Sequence, residues 1–207
     1  MKIEKTLLLF SAAACLSLLA GCASTQRSRL YVLYPEKPAE GTVAKDAQIK
    51  NAVIAIDKVR LPKYLDRPLV ITQVNEYEIE YSEFRRWAGS LDDNLRRVIA
   101  LNVSQQLNTD KVAGSKLTYS GNVDYIIDID VLGMSGTLGK DAFLNVRWRV
   151  SESLENKSLD VHTKRYTREL KDAGYGTYIV AQSGMIAELS SDISKTIQDL
   201  AKNKTKE

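Results

Sequence analysis

Apolar and polar positions recur along this chain at two periods, two and about 3.6, and the switches between them mark the elements. Leu30-Tyr31-Val32-Leu33-Tyr34 is aromatic and β-branched and predicts a first strand. Pro35 to Asp46, with two prolines and a glycine, reads as an exposed loop. Asn51 to Arg60 carries an unbroken apolar run from Ala52 to Ile56 and predicts a strong strand. Leu69–Val74 and Tyr77–Tyr81 predict two short strands, with Asn75-Glu76 as the hairpin turn between them. From Ser90 the period changes. Leu91, Leu95, Val98, Ile99, Val103 and Leu107 recur at helical spacing behind a Ser90 cap, with Asp92 and Asp93 in the first turn. Asn108 to Gly114 ends that helix.

Strict alternation then returns. Val123, Tyr125, Ile127, Ile129 and Val131 share one strand face, and Leu144, Val146, Trp148 and Val150 share one face of an antiparallel partner. Gly133 to Asp141, rich in glycine and serine, reads as the turn between them. Asn156-Lys157-Ser158 reads as the next turn, and Leu159 to Leu170 as a third strand. A last helix, from about Tyr175 to Lys202, has an apolar stripe of Tyr178, Met185, Ile186, Leu189, Ile193, Ile197 and Leu200. Strands, helix, three-strand meander, helix is the order of an α+β domain. It predicts a mainly antiparallel β-sheet with two long helices packed on one face.

The first 21 residues follow a different logic. Lys2 and Lys5 precede an apolar run from Thr6 to Leu19 that is too short for a comfortable membrane span. A positive start, an apolar middle and small residues at the end make a secretory signal peptide. Leu19-Ala20-Gly21-Cys22 is a lipobox, so cleavage before Cys22 and lipidation of its thiol are expected. The expected organisation is signal peptide 1–21, lipidated tether 22–29, one domain over 30–202 and a polar tail over 203–207. One acyl chain binds membranes marginally and reversibly. A diacylglycerol and an N-acyl chain (palmitate among them) on Cys22 would anchor the chain permanently. Ala23, where an acidic residue would favour the inner membrane, favours the periplasmic face of the outer membrane.

Charge adds an exclusion. The whole chain carries a formal +3, and the signal segment, with Lys2, Lys5 and Glu4, removes +1, which leaves +2 on the mature part. That near balance is not the footprint of a nucleic-acid binder. Cys15 departs with the signal, so Cys22 is the one mature cysteine, and the fold must be held without an intrachain disulfide.

No catalytic constellation assembles. His162, the single histidine, lies in a predicted strand and reads as a surface residue, although a hydrolase would need such a base. Asp124, Asp128 and Asp130 could share a sheet face, but a straight strand does not wrap an ion as oxygen-ligand sites require. Pairing with Arg147 and Arg149 across the ladder is the alternative. Gly133, Gly136 and Gly139 read as hairpin residues, not as a phosphate loop. No cofactor and no metal are expected.

Two segments stand out. In Leu61-Pro62-Lys63-Tyr64-Leu65-Asp66-Arg67-Pro68, two prolines stiffen a loop bearing an aromatic, an acid and two bases. It is either a connection whose Tyr64 and Leu65 cap the core or a rigid contact surface for a protein. In Phe84-Arg85-Arg86-Trp87-Ala88, Trp87 either closes the core or anchors a partner, as Trp and Arg do at interfaces. Tyr64, Asp66, Arg67, Arg86 and Trp87 are therefore the candidate partner contacts.

These two segments carry a resemblance. The first resembles a "(L/V)P-x-YLDR" segment, and Arg86-Trp87-Ala88-Gly89-Ser90-Leu91-Asp92-Asp93-Asn94-Leu95 resembles "RWAEPLDxxL" at a helix start. Both are features of the PqiC-like family, the ABC-type transport auxiliary lipoproteins. Leu30-Tyr31-Val32-Leu33 resembles the family's "YxL" opening, and Gly174-Tyr175 with the long final helix also agrees. The resemblance spans about residues 30 to 200; Gly89-Ser90 departs from a common Glu-Pro. It implies a non-enzymatic subunit of an MCE-type (PqiABC-like) envelope lipid transport system that supports membrane integrity. Such a subunit docks a periplasmic MCE-domain (PqiB-like) tube at the outer membrane, with a homo-oligomeric ring as one arrangement. The competing reading is a lipid-binding periplasmic lipoprotein that holds a ligand between sheet and helices and so needs an apolar cavity.

Overall fold

The computed structural model describes residues 27–37, 49, 52–114, 122–152 and 158–204. The signal peptide and Cys22 lie outside the described residues, as do the Pro38–Asp46 part of the expected loop, Asn156 and Lys157. Among the described residues, ten elements follow in order: β1 (Arg29–Tyr31), β2 (Ile54–Arg60), β3 (Leu69–Asn75), β4 (Glu78–Trp87), α1 (Leu91–Leu107), β5 (Val112–Ala113), β6 (Tyr125–Thr137), β7 (Asp141–Glu152), β8 (Ser158–Glu169) and α2 (Tyr175–Lys204).

The class is α+β, as the periodicity predicts, but the strands divide into two sheets. One has the order β5-β2-β6-β7-β8 and the other β1-β4-β3. The meander β6-β7-β8 is antiparallel in long ladders, whereas β2 pairs parallel with both β5 and β6, and β1 pairs parallel with β4. Parallel neighbours need a crossover, and α1 belongs to the connection that brings the chain from β2 back to β6. Local alternation names a strand but not its neighbour, so the parallel pairings and the two-residue β5 were not legible in it.

Both helices lie on one face of the five-stranded sheet. Ile54, Ile56, Ile127, Ile129, Leu144 and Val146 from the sheet meet Leu95, Val98, Val103, Met185, Ile186, Leu189 and Ile193 from the helices, all at 1% exposure or less. Close-packed side chains fill that space, and their burial stabilises the fold.

Several boundaries depart from expectation, among them β4, which runs on to Trp87 instead of ending at Tyr81. β1 stops at Tyr31, and the chain to Lys37 runs irregularly, with Leu33 fully buried and the Tyr34 N–H donating to Ser183 Oγ at 3.3 Å. The turn after β6 is only residues 138–140, not Gly133 to Asp141, because β6 continues to Thr137. Gly139 does lie in that turn, with φ +75°, whereas Gly136 lies within β6 and is there for space. At Gly136 an added Cβ would stand 2.5 Å from the Asp141 carbonyl oxygen and 2.6 Å from the Ala142 Cα, closer than a side chain tolerates. Composition resembled a turn because close backbone approach selects the same residue. Another is at the C-terminus, where α2 continues through Lys204 into the expected polar tail.

Candidate functional site

The structure brings the two conspicuous segments together. The Trp87 N–H donates to the Pro68 carbonyl at 2.9 Å, and Leu69 stands opposite Arg86 in the β3–β4 ladder. Within the loop, the N–H groups of Leu65 and Asp66 both donate to the Pro62 carbonyl, at 2.9 and 3.2 Å, which folds it into a tight turn. The Ala88 N–H donates to the Tyr31 carbonyl at 2.8 Å, so β1 completes the same edge.

Each candidate residue now has a place. Leu65 is buried at 4% exposure. Tyr64 is half-buried over β6, and its hydroxyl lies 3.6 Å from where a Cβ on Gly133 would be. Burial pushes the Tyr64 phenol above its ordinary pKa, and a backbone hydrogen bond with Met134 opposes that shift. Trp87 is 5% exposed and belongs to the core. A partner cannot reach its ring, so of its two readings the structure supports closing the core. Asp66, Arg67 and Arg86 are exposed. Shortly after Arg86 in the chain, Ala88, Gly89 and Ser90 wall a surface groove of about 420 Å³, lined also by Val32, Tyr34, Asp93, Asn94 and Arg97. Arg97 frames it by donating to the Leu33 carbonyl at 2.8 Å. Helical spacing had placed Arg97 off the apolar stripe without indicating this use.

Ser90 does stand at the N-cap, but its side chain makes no capping bond to the helix backbone. Its hydroxyl donates instead to Asp93 Oδ2 at 2.8 Å, and Arg96 donates to Asp93 Oδ1 at 2.6 Å.

The residues weighed for chemistry are engaged otherwise. Asp128 accepts from Arg149 at 2.8 Å, and Asp130 accepts from Arg60. Asp124 accepts the Val53 N–H at 2.7 Å. The cross-ladder alternative is thus realised for Asp128, while Asp130 turns to the parallel neighbour β2. The Arg60 bond is the main cause holding the Asp130 carboxyl below the ordinary range, against some desolvation, with Arg147 and Arg149 adding to it. Among the described residues, no group of three His, Cys, Asp or Glu converges as a metal site.

His162 lines a second groove of about 390 Å³ between β8 and the end of α2. Its ring stacks on Trp148 at 5.0 Å. Nε2 lies 2.9 Å from Asp160 Oδ2 and 3.5 Å from Thr196 Oγ1. A hydrolytic triad needs the acid on one ring nitrogen and the nucleophile on the other. Here Asp160 and Thr196 both fall on the same ring nitrogen, which is not that arrangement.

The fold is an α+β domain in which Asp128 and Asp130 are paired to Arg149 and Arg60. The chain belongs to the ABC-type transport auxiliary lipoprotein component family, whose model matches residues 31–194. Within it the chain is PqiC-like. It is 23% identical over 182 residues to the intermembrane transport lipoprotein PqiC of Escherichia coli K12, covering 88% of this chain and 93% of the relative. The Shigella flexneri protein of the same name matches equally. Two crystal structures share the fold. One is of an uncharacterized protein, with TM-score 0.69 and 17% identity over 83% of this chain and 99% of the other. The other is a Xanthomonas campestris protein, with TM-score 0.65 and 14% identity over 88% and 99%. Among the described residues, no helix is long and apolar enough to cross a membrane.

Proposed function

We propose that this chain is a non-enzymatic, lipid-anchored subunit of an MCE-type envelope lipid transport system, held at the periplasmic face of the outer membrane through acyl chains on Cys22. It would dock the distal end of a periplasmic MCE-domain tube and so support membrane integrity. The observation that carries the reading is the family match over residues 31–194, which includes both the Leu61–Pro68 loop and the Arg86–Leu95 segment. The surface agrees with it. The loop exposes Asp66 and Arg67, and Arg86 is exposed shortly before the Ala88–Ser90 wall of an open groove, polar surface of the kind that rims contact sites between proteins. A homo-oligomeric ring would multiply such contacts against a ring-shaped partner.

The space between sheet and helices is filled by Ile127, Ile129, Leu144, Val146, Met185, Ile186 and Leu189, which runs against a lipid held there. The test is a pull-down of the cognate MCE-domain protein by the full, acylated chain. Capture that is lost when the distal end of the MCE protein is truncated is the expected result. No capture, with or without detergent, overturns the docking role.

A further inference from the structure

The β3–β4 hairpin ends in an apolar tip that the fold does not use. Tyr77, in the turn, is 95% exposed; Tyr81 and Ile79 follow at 53% and 46%, and Val74 on β3 at 45%. Ile79 and Tyr81 are two apart in β4 and so share one face of the ribbon. The turn is firm, because the Tyr77 N–H donates to Asn75 Oδ1 at 2.9 Å and Asn75 Nδ2 donates to Glu78 at 3.1 Å. Tyrosine, with an apolar ring and a polar end, is the residue type enriched where a protein meets the lipid–water interface.

The direction of the chain says which surface this tip meets. β1 runs parallel to β4, with Arg29 opposite Arg85, Leu30 opposite Arg86 and Tyr31 opposite Trp87. The N-terminal end of β1 therefore faces the Glu78 end of β4. Cys22 lies seven residues before Arg29, which allows a reach of at most ~25 Å. Glu78 lies seven residues before Arg85 in β4, a strand length of ~23 Å. A fully extended tether is thus long enough to span from Arg29 to the level of the tip.

We infer that the Tyr77–Ile79–Tyr81 tip of the β3–β4 hairpin is a second membrane contact, resting on a zwitterionic bilayer surface beside the lipid on Cys22. The inference rests on the lipid-anchor part of the proposed function. Glu76, Glu78, Glu80 and Glu83 are exposed on the same hairpin, so an anionic surface would repel it. The acyl chains hold the domain near the bilayer, and the tip sets its orientation there. That turns a tethered domain into one presenting a fixed face to its partner, because a single flexible attachment leaves rotation free while two do not.

The test uses the full, acylated chain reconstituted into phosphatidylcholine vesicles, with Tyr77→Trp as the reporter and Val161→Trp, on the far edge strand β8, as the comparison. The natural Trp87 and Trp148 are buried at 5% and 3% exposure and give a constant background. Phosphatidylcholine brominated high on its acyl chains should remove most of the emission added by Tyr77→Trp and none of that added by Val161→Trp. Including phosphatidylglycerol should weaken the quenching, and an equal or stronger effect overturns the zwitterionic assignment. A chain that carries its lipid and floats with the vesicles, but whose Tyr77→Trp emission is unquenched, overturns the tip contact alone. Shielding of that reporter from iodide without quenching by bromolipid assigns the tip to a protein or a second copy, and also overturns it. Absence of acyl mass on Cys22 overturns the anchor reading itself.

Discussion

At the scale of single residues, Asp192 shows how the β8–α2 seam is held. It accepts Lys164 Nζ at 2.7 Å and the Tyr166 hydroxyl at 2.6 Å. Burial pushes its carboxyl up, but the bonds from Lys164 and Tyr166 outweigh it and leave the carboxyl below the ordinary range. Asp130 is lowered too, chiefly by Arg60. A carboxylate lowered in the folded state adds stability above its unfolded value of about 3.9, and that stability is lost as pH falls through the folded value. Urea midpoints should therefore fall on acidification below about pH 4. Asp192→Asn should cost about 1–2 kcal/mol at pH 7 and flatten that acid limb, both read from urea titrations. At Gly136 the cause is steric. Gly136→Ala forces a Cβ against the Asp141 carbonyl, and a loss of roughly 2–3 kcal/mol is expected by thermal unfolding.

At the scale of elements, α2 has the largest part in holding the core. Tyr178 at its start is buried at 1% exposure and donates its hydroxyl to the Ile71 carbonyl at 3.1 Å, which ties the helix to the small sheet. Tyr31 and Arg85 both lie against the Tyr175 ring, at 6.2 and 5.5 Å, and extend the same tie to β1 and β4. Further along, Gln182 donates to the carbonyls of Ser135 and Phe143 at 3.0 and 3.3 Å, an anchor to the large sheet. Leu189→Ala should therefore cost about 2–5 kcal/mol, since a close-packed site collapses only partly around the lost atoms. Val180→Asp, at a position 66% exposed on the same helix, should change stability by less than about 0.5 kcal/mol. Chemical denaturation of the two variants separates the buried stripe from the free face.

For the whole molecule, docking and folding must be told apart. Trp87 stands next to the candidate contacts yet lies in the core. Trp87→Ala should lose about 3–5 kcal/mol of stability, and any loss of partner capture would follow from that. Arg86→Glu and Arg67→Glu change exposed groups only. They should leave the melting temperature within a degree or two while weakening capture of the MCE-domain protein. Cys22→Ser should fold normally and fail to support the envelope in cells. Circular dichroism beside a detergent-sensitivity assay compares the two, and retained function in the soluble form would make the anchor dispensable.

The sequence alone determined the class of fold, the two helices and the meander, because amphipathic period is a local property that each element carries by itself. It also singled out the segments that carry the family resemblance, and it set the expectation of a lipidated Cys22 on the lipobox alone. Only the tertiary structure decided which strands are neighbours. The parallel β2–β6 and β1–β4 pairings join residues far apart in the chain, and the alternation within one strand holds no information about its partner. It also decided that Trp87 is core while Arg86, one residue earlier, is surface. Residue type offers either reading for both, and burial is fixed only once the folded chain brings Trp87 into the core cluster. The exposed hairpin tip has the same origin. Tyr77, Ile79 and Tyr81 read as ordinary strand residues, and they stand exposed because they lie at the hairpin end, past Ile71, where α2 is tied to the small sheet.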